Sequence, residues 1–367
     1  MNERELFFRH LAQTSDAPLA LEIVRAEGLY MYDASGKAYL DLISGISVSA
    51  LGHRHPRIVE AVKDQLTKYM HLMVYGEFIQ SPQVQLARLL AENLPETLDS
   101  VYLVNSGSEA VEGAVKLAKR ASGRTGVVAY NNAYHGSTHG SLSFGGNEEL
   151  KNAFRPLLPG VKHLRYNVSE DLHQIDRSVA CVLMETIQGE AGAFVPDREF
   201  VQLLRQRCDE NGVLLILDEI QAGMGRSGRL WCFQHFGIIP DILCLAKGLG
   251  GGMPIGAFIA SSALMKSLTH QPVLGHISTF GGNAVCAAAA LANLQEITQK
   301  RLWEGISGKE LVFRRHLRHP LIRNVHGMGL LLAVEFDSFA LNKQSLMPAL
   351  RKACLLTGFC LHHIVCE

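Results

Sequence analysis

Lys247 is preceded by the apolar run Ile242–Leu245 and followed by Gly248-Leu249-Gly250-Gly251-Gly252. A lysine at a strand end ordinarily snorkels into water. Here the glycine run removes side chains that would crowd a bulky adduct on the amine, so a covalent role stands beside the solvated one. A second apolar run, Val213–Asp218, closes on Asp218-Glu219-Ile220-Gln221. Such an acid is commonly a helix cap or a solvated turn residue. Strand alternation also puts Asp218 and Ile220 on one face and Glu219 on the other. That face would offer a carboxylate and a branched apolar surface to a flat ring. A third run, Ser100–Val104, leads into Asn105-Ser106-Gly107-Ser108-Glu109. This reads as a capping box, with Ser106 as N-cap and Glu109 reaching back. The same free N–H groups and positive helix end would hold a phosphate, and Gly107 permits close approach. Tyr134-His135-Gly136 follows a fourth run, Gly126–Tyr130, where an aromatic either packs or offers a stacking surface.

The elements that must position these residues are β-rich runs alternating with helical patterns. Ala180–Glu185 is a fifth such run, and Ala110, Val111, Ala114, Val115, Leu117 and Ala118 give Ser108–Ala121 a helical apolar spacing. The alternation predicts an α/β fold with a mostly parallel sheet covered on both faces, and ligands in such sheets sit beyond the carboxyl ends of the strands. Residues 1–50 differ, with strands at Leu29–Tyr32 and Ala38–Leu42 about a turn at Asp33-Ala34-Ser35-Gly36. From Ala284 a long Ala-rich helix opens a stretch with strands at Ile322–Val325 and Leu330–Phe336 and a helix around Leu346–Leu356. The expected division is an N-terminal segment of a small domain (1–50), a large cofactor domain (51–283) and a C-terminal small-domain portion (284–367).

Composition excludes several classes. Of 367 residues, 47% are hydrophobic, too many for a disordered chain, and 35 basic residues balance 35 acidic ones, so no basic field exists to hold nucleic acid. No apolar run approaches membrane-spanning length, and the charged start MNERELFFRHLAQTSD has no signal-peptide pattern. Eight cysteines without a C-x-x-C pair fit free thiols in a reducing cytosol. Gly223–Gly228 matches G-x-G-x-x-G formally, but Asp218–Ala222 separates it from its strand and no helix pattern follows, so a dinucleotide site is not expected. His53 and His55, and Cys360, His362, His363 and Cys366, lack metal-site spacing, and no metal is expected.

In order and content these parts form a set. From about Ala17 to Phe336 the sequence resembles the class III (omega) aminotransferases of the fold type I pyridoxal phosphate (PLP) enzymes, most of all the acetylornithine and ornithine type. The resemblance rests on Leu51–Pro56, Asn105–Ala110, Tyr134-His135-Gly136, Glu185–Glu190, Asp218–Gly223, Gly225–Gly228, Pro240–Ile242, Leu245–Gly248 and Ser278–Asn283. It implies a large domain with a mostly parallel sheet and a smaller α+β domain built from both termini. It also implies a ping-pong transfer, through pyridoxamine phosphate, of an amino group to a 2-oxo acid such as 2-oxoglutarate. The donor implied is an acetylornithine- or ornithine-like amine.

The resemblance assigns Lys247 to carry the cofactor and move a proton, and Asp218 to pair with the ring nitrogen. Tyr134 and Ile220 would flank the ring, Gln221 would reach its phenolic oxygen, and His135 would join the cofactor site. Gly107 and Ser108 would hold the phosphate, helped by Thr279 from the partner of a cytoplasmic homodimer with a shared active site. Glu190 would gate the substrate by pairing with an arginine in an R-x-x-P-P-L-like segment. Two positions bear on substrate: Ser137 stands where acetylornithine and ornithine types usually carry an arginine, and Ile46 stands where ornithine types have a tyrosine but suits the acetylornithine and GABA types. The R-x-x-P-P-L-like segment is absent, and the chain ends Gly358-Phe359-Cys360-Leu361-His362-His363 and then Cys366-Glu367, early by family length. An unpaired Glu190 and a weakened glutamate half-reaction are therefore expected. A PLP-binding relative with impaired or no transaminase activity, and an aminomutase on the same scaffold, are the alternatives.

Overall fold

The computed structural model describes residues 2–16, 18–336 and 354–355. Its centre is a seven-stranded sheet in the order β4-β10-β9-β8-β7-β5-β6. The strands are β4 (Ser100–Val104), β5 (Gly126–Tyr130), β6 (Val161–Leu164), β7 (Val179–Glu185), β8 (Leu214–Asp218), β9 (Ile242–Leu245) and β10 (Gly256–Ala260). β10 runs against both its neighbours, and the others share one direction. Every residue of β7, β9 and β10 is buried, as expected of strands covered on both faces.

Strand alternation divides the core into two layers. Val127, Ala129, Cys181, Leu183, Ile216, Cys244 and Phe258 face one layer, which the Gly107–Ser122 helix fills with Ala110, Val111, Ala114, Leu117 and Ala118. Val128, Tyr130, Val182, Met184, Leu215, Leu217, Leu243 and Leu245 face the other, against Leu86, Leu90, Phe200, Leu204 and Trp231. Truncating a fully buried leucine such as Leu117 to alanine costs about 2–5 kcal/mol, so each layer depends on its helix.

The N-terminal strands are β1 (Ile23–Glu27), β2 (Tyr30–Asp33) and β3 (Ala38–Asp41). The turn between β2 and β3 closes as expected, with Asp33 O accepting from Gly36 N at 2.9 Å and Asp33 Oδ1 from Lys37 N at 3.0 Å. β11 (Ile322–Met328) and β12 (Leu331–Phe336) form an antiparallel pair about Gly329, whose φ is +64°. The helix expected around Leu346–Leu356 lies almost wholly outside the described residues. Where it can be compared it is not helix: Cys354–Leu355 form β13, which adds to β3 in parallel. Backbone pairing with the N-terminal sheet, a long-range contact, sets that segment's conformation. The Ala284–Gln299 helix packs into the main core through Ala287, Ala290, Leu294 and Ile297. Among the described residues no helix is long and apolar enough to cross a membrane.

Candidate active site

The carboxyl ends of β4, β5, β7, β8 and β9 open on one cavity of about 400 Å³. Gly107, Ser108, Tyr134, His135, Glu190, Asp218, Ile220, Gln221 and Lys247 all line it, although up to 140 residues separate them. Of the expected site residues only Thr279 does not line this cavity. It is exposed instead.

At the floor, the Gly107–Ser122 helix begins with Ser106 as N-cap, its Oγ accepting from Glu109 N at 3.2 Å. The expected capping box is only half formed. The Glu109 carboxylate passes the cap and accepts from Asn105 N at 2.8 Å and Asn105 Nδ2 at 2.9 Å. A helix leaves its first N–H groups without internal partners. With that of Glu109 taken by Ser106, those of Gly107 and Ser108 remain, on residues that line the cavity. A Cβ on Gly107 would stand 2.9 Å from Ile220 Cδ1, so any side chain there would displace Ile220. At Gly136, φ is +124° and a Cβ would strike the hydroxyls of Ser108 and Ser141. The result is an open, donor-lined cradle at a helix N-terminus, suited to a phosphate.

Asp218 ends β8, is 5% exposed, and its Oδ2 lies 2.8 Å from Nδ1 of buried His135. Its Oδ1 accepts from Ile220 N at 3.0 Å, which fixes the residue expected to touch a ring. Glu185 ends the neighbouring strand, in register with Asp218. Its carboxylate accepts from Tyr134 N at 3.0 Å and Gly189 N at 3.2 Å, so one acid holds both the Tyr134 loop and the turn before Glu190. Burial pushes the Glu185 carboxyl up to about 7, with His135 opposing and Asp218 adding to the rise. Glu185 closes the apolar run Ala180–Glu185, a position to which no motif assigns a role. The rule that polar residues ending apolar strands face the ligand would have found it.

Lys247 follows β9 with a φ of +42°. Burial lowers its ammonium below the ordinary value, while Glu190, Asp218 and Glu185 pull it back up and Arg226 lowers it further. A depressed ammonium keeps more neutral amine near neutral pH, which a nucleophile and proton carrier requires. Glu190 is not unpaired, contrary to expectation: its Oε1 accepts from Gln221 Nε2 at 3.0 Å. Tyr134 Oη and Ser137 Oγ are 3.1 Å apart. His53 Nε2 lies 2.8 Å from Asp41 Oδ2. Gly223–Gly228 runs as turns rather than a strand-to-helix crossing, and Cys360, His362, His363 and Cys366 lie outside the described residues.

The site fits PLP by its own geometry: an N–H cradle for the phosphate, a carboxylate for the ring nitrogen, and a tyrosine and an isoleucine for its faces. A lysine amine completes it.

Residues 11–366 match the family model described as "Aminotransferase class-III". The chain is 41% identical over 341 residues to the acetylornithine aminotransferase of Methanopyrus kandleri, covering 91% of this chain and 85% of that protein. It is 38% identical over 320 residues to the [LysW]-aminoadipate semialdehyde/glutamate semialdehyde transaminase of Sulfurisphaera tokodaii, covering 86% and 81%. Among solved structures, it superposes on the ornithine aminotransferase from Toxoplasma gondii, crystallised with partial PLP occupancy. There the TM-score is 0.87 at 31% identity, covering 95% of this chain and 84% of that one. It also matches the taurine:2-oxoglutarate aminotransferase from Bifidobacterium kashiwanohense, in complex with PLP and glutamate. The TM-score is 0.83 at 27% identity, covering 90% and 81%.

Proposed function

The chain belongs to the class III aminotransferases, PLP-dependent enzymes of fold type I, and from that premise we propose how its own residues divide the work and which donor they serve. The convergence of Lys247, Asp218 and the Gly107–Ser108 cradle on one cavity carries the reading. PLP, when bound, supplies an electron sink that stabilises negative charge on the carbon bearing the amino group. Gly107 and Ser108 hold its phosphate through backbone N–H groups at the positive end of a helix. Asp218 keeps a proton on the ring nitrogen, since an opposite charge within ~4–6 Å raises a cation's pKa by about 1–3 units. His135 orients that carboxylate. Tyr134 and Ile220 confine the ring between them, and Gln221 reaches its phenolic oxygen while holding Glu190. Lys247 carries the cofactor and moves the proton between the donor carbon and the cofactor. Glu190 faces the substrate.

The donor we favour is N-acetyl-L-ornithine, reacting at its terminal amine, with 2-oxoglutarate as acceptor. Relatives named acetylornithine aminotransferase, at 36–41% identity, support it. The comparisons give no support to an aminomutase or an impaired relative. The test is glutamate release from 2-oxoglutarate with a panel of donors. The reading expects N-acetyl-L-ornithine to give the largest kcat/KM, and a clear preference for unacetylated L-ornithine would replace the donor.

We also propose that the enzyme is a homodimer with Thr279 placed in the partner's phosphate cradle. Two adjacent segments support this. His71 and Phe280 rings lie 4.7 Å apart, and Asn283 Nδ2 donates to Met70 O at 3.1 Å. Along the same two segments Met70, Leu72, Met73, Phe78, Ile79, Val273, Leu274 and Ile277 are exposed, Ile79 to 96%. Exposed apolar side chains gathered in these two segments support an interface there. The division at 50/51 and 283/284 into small and large domains remains part of this proposal. So does a cytoplasmic location, which suits the free buried thiols of Cys181, Cys208, Cys232, Cys244 and Cys286.

A further inference from the structure

The Ala284–Gln299 helix is apolar along most of its buried surface, yet Asn293 is fully buried within it, beside Ala289, Ala290 and Leu294. Asparagine is a poor helix former, and its buried amide is only half satisfied here: Asn293 Oδ1 has no partner among the described residues, so the side chain's bonds run through Nδ2 alone. Asn293 Nδ2 donates to Gly248 O at 2.8 Å and to Leu249 O at 3.1 Å. Those are the first two carbonyls after Lys247, in a short turn over Lys247–Gly250 where Gly248, Leu249 and Gly250 are buried. Without Asn293, both carbonyls would lose a partner away from water.

The turn needs holding. Lys247 has a φ of +42°, in the left-handed region that residues with a side chain rarely occupy, and such strain persists only where the surroundings over-determine it. Within the turn, Leu249 N donates to Ala246 O at 2.8 Å. At its far end Gly251 has a φ of +59°, and a Cβ there would stand 2.6 Å from Ile58 Cδ1 and 3.0 Å from Asn293 Cβ. The glycine end therefore lies hard against the same asparagine that grips the carbonyls.

We propose that Asn293 is a positioning residue for transamination. It fixes the Gly248–Leu249 and Leu249–Gly250 peptide planes, one peptide beyond Lys247, and through that short turn the direction in which the lysine side chain leaves the backbone for the cavity. This rests on Lys247 being the cofactor-bearing lysine. The test compares the cofactor-stripped wild type with Asn293→Leu, Leu294→Ala and Lys247→Ala. Leu294 is fully buried one residue along the helix, so Leu294→Ala reports the effect of merely loosening the helix.

Asn293→Leu is expected to weaken PLP binding to the stripped protein by about tenfold or more, the worth of roughly one buried hydrogen bond. It should also slow labelling of the Lys247 amine by a small acylating reagent and shift the pH midpoint of that labelling. Leu294→Ala should lower the melting temperature while leaving both readouts near wild type. Wild-type PLP affinity and labelling in Asn293→Leu, or equal losses in Leu294→Ala, overturn the proposal. If Asn293→Leu does not accumulate, Asn293→Ser keeps one donor and should show a smaller loss in the same direction; wild-type behaviour there also overturns it. Covalent PLP in Lys247→Ala removes the lysine assignment and the proposal together. Loss of attachment in Lys247→Ala beside an unaffected Asn293→Leu removes the proposal alone.

Discussion

His135 Nδ1 lies 2.8 Å from Asp218 Oδ2, with both side chains buried. An ionised carboxylate only accepts, so Nδ1 carries the proton and Asp218 is oriented by a group from the loop that also presents Tyr134. The ring-nitrogen partner and the stacking residue are thereby tied together. Asp218→Asn keeps the shape but removes the charge. Turnover should fall about 10- to 1000-fold, the equivalent of losing 1–3 pKa units of stabilisation, with PLP still bound. His135→Leu should fall in the same direction by less, about tenfold, because the charge remains and only its orientation is released. Single-turnover rates on PLP-loaded variants check both. Wild-type rates in Asp218→Asn would remove the electron-sink role.

Gln221 holds Glu190 through a 3.0 Å hydrogen bond, and a Cβ on Gly189 would collide with the Gln221 side chain, so Gln221 is packed against the residue before Glu190 as well as bonded to Glu190. Gln221→Ala frees the carboxylate to face the cavity, where it repels an incoming dicarboxylate. The KM for 2-oxoglutarate should rise about 3- to 10-fold, on the order of 1 kcal/mol of like-charge repulsion. Adding Glu190→Gln on that background should reverse most of the rise. A KM that stays high in the double variant would assign the effect to Gln221 alone.

Glu219 points away from the site and accepts from Cys232 N, Phe233 N and Thr186 Oγ1. Burial pushes its carboxyl from 4.5 up to about 7, against the pull of those three donors. A carboxyl whose folded pKa is raised binds its proton more tightly when folded. Its contribution to stability is full below about pH 4.5 and is lost as pH rises through about 7. Glu219→Gln cannot titrate. The unfolding free energy of wild type minus that of the variant should therefore decline between those limits, by up to about 3 kcal/mol, and level off above them. Denaturant melts across this range decide it, and a pH-independent difference would refute it.

Ile79 has almost no neighbours in its own chain, being 96% exposed. Ile79→Asp should leave the single chain's stability within about 0.5 kcal/mol while placing a charge in the proposed interface. Light scattering should then report a monomer with weakened PLP binding, because the partner's Thr279 is lost with it. A dimer that persists would move the interface elsewhere.

Much of this architecture was legible because parallel strands buried on both faces are unbroken apolar runs ending on a polar residue. Gly126–Tyr130 and Ile242–Leu245 have the observed bounds, and Lys247 and Asp218 stand at strand ends as expected. β10 was missed because Gly256 and Ala257 dilute the strand signature, and β6 because Lys162 and His163 interrupt a four-residue strand. Asn293 has no motif at all: its meaning lies in two carbonyls some 45 residues away, reached only through the fold. Gln221 and Glu190 were each noticed, but their bond spans 31 positions between separate loops. Local pattern predicts which residues end an element. It does not predict which of those ends meet.

The most direct test of the account is the visible absorbance of the PLP-loaded enzyme, followed through addition of N-acetyl-L-ornithine and then of 2-oxoglutarate. The account predicts that the band of lysine-bound cofactor disappears with the donor, returns with the acceptor, and is missing from Lys247→Ala throughout. A wild-type band that neither amine donor nor acceptor moves would contradict the assignment of this cavity as the transamination site.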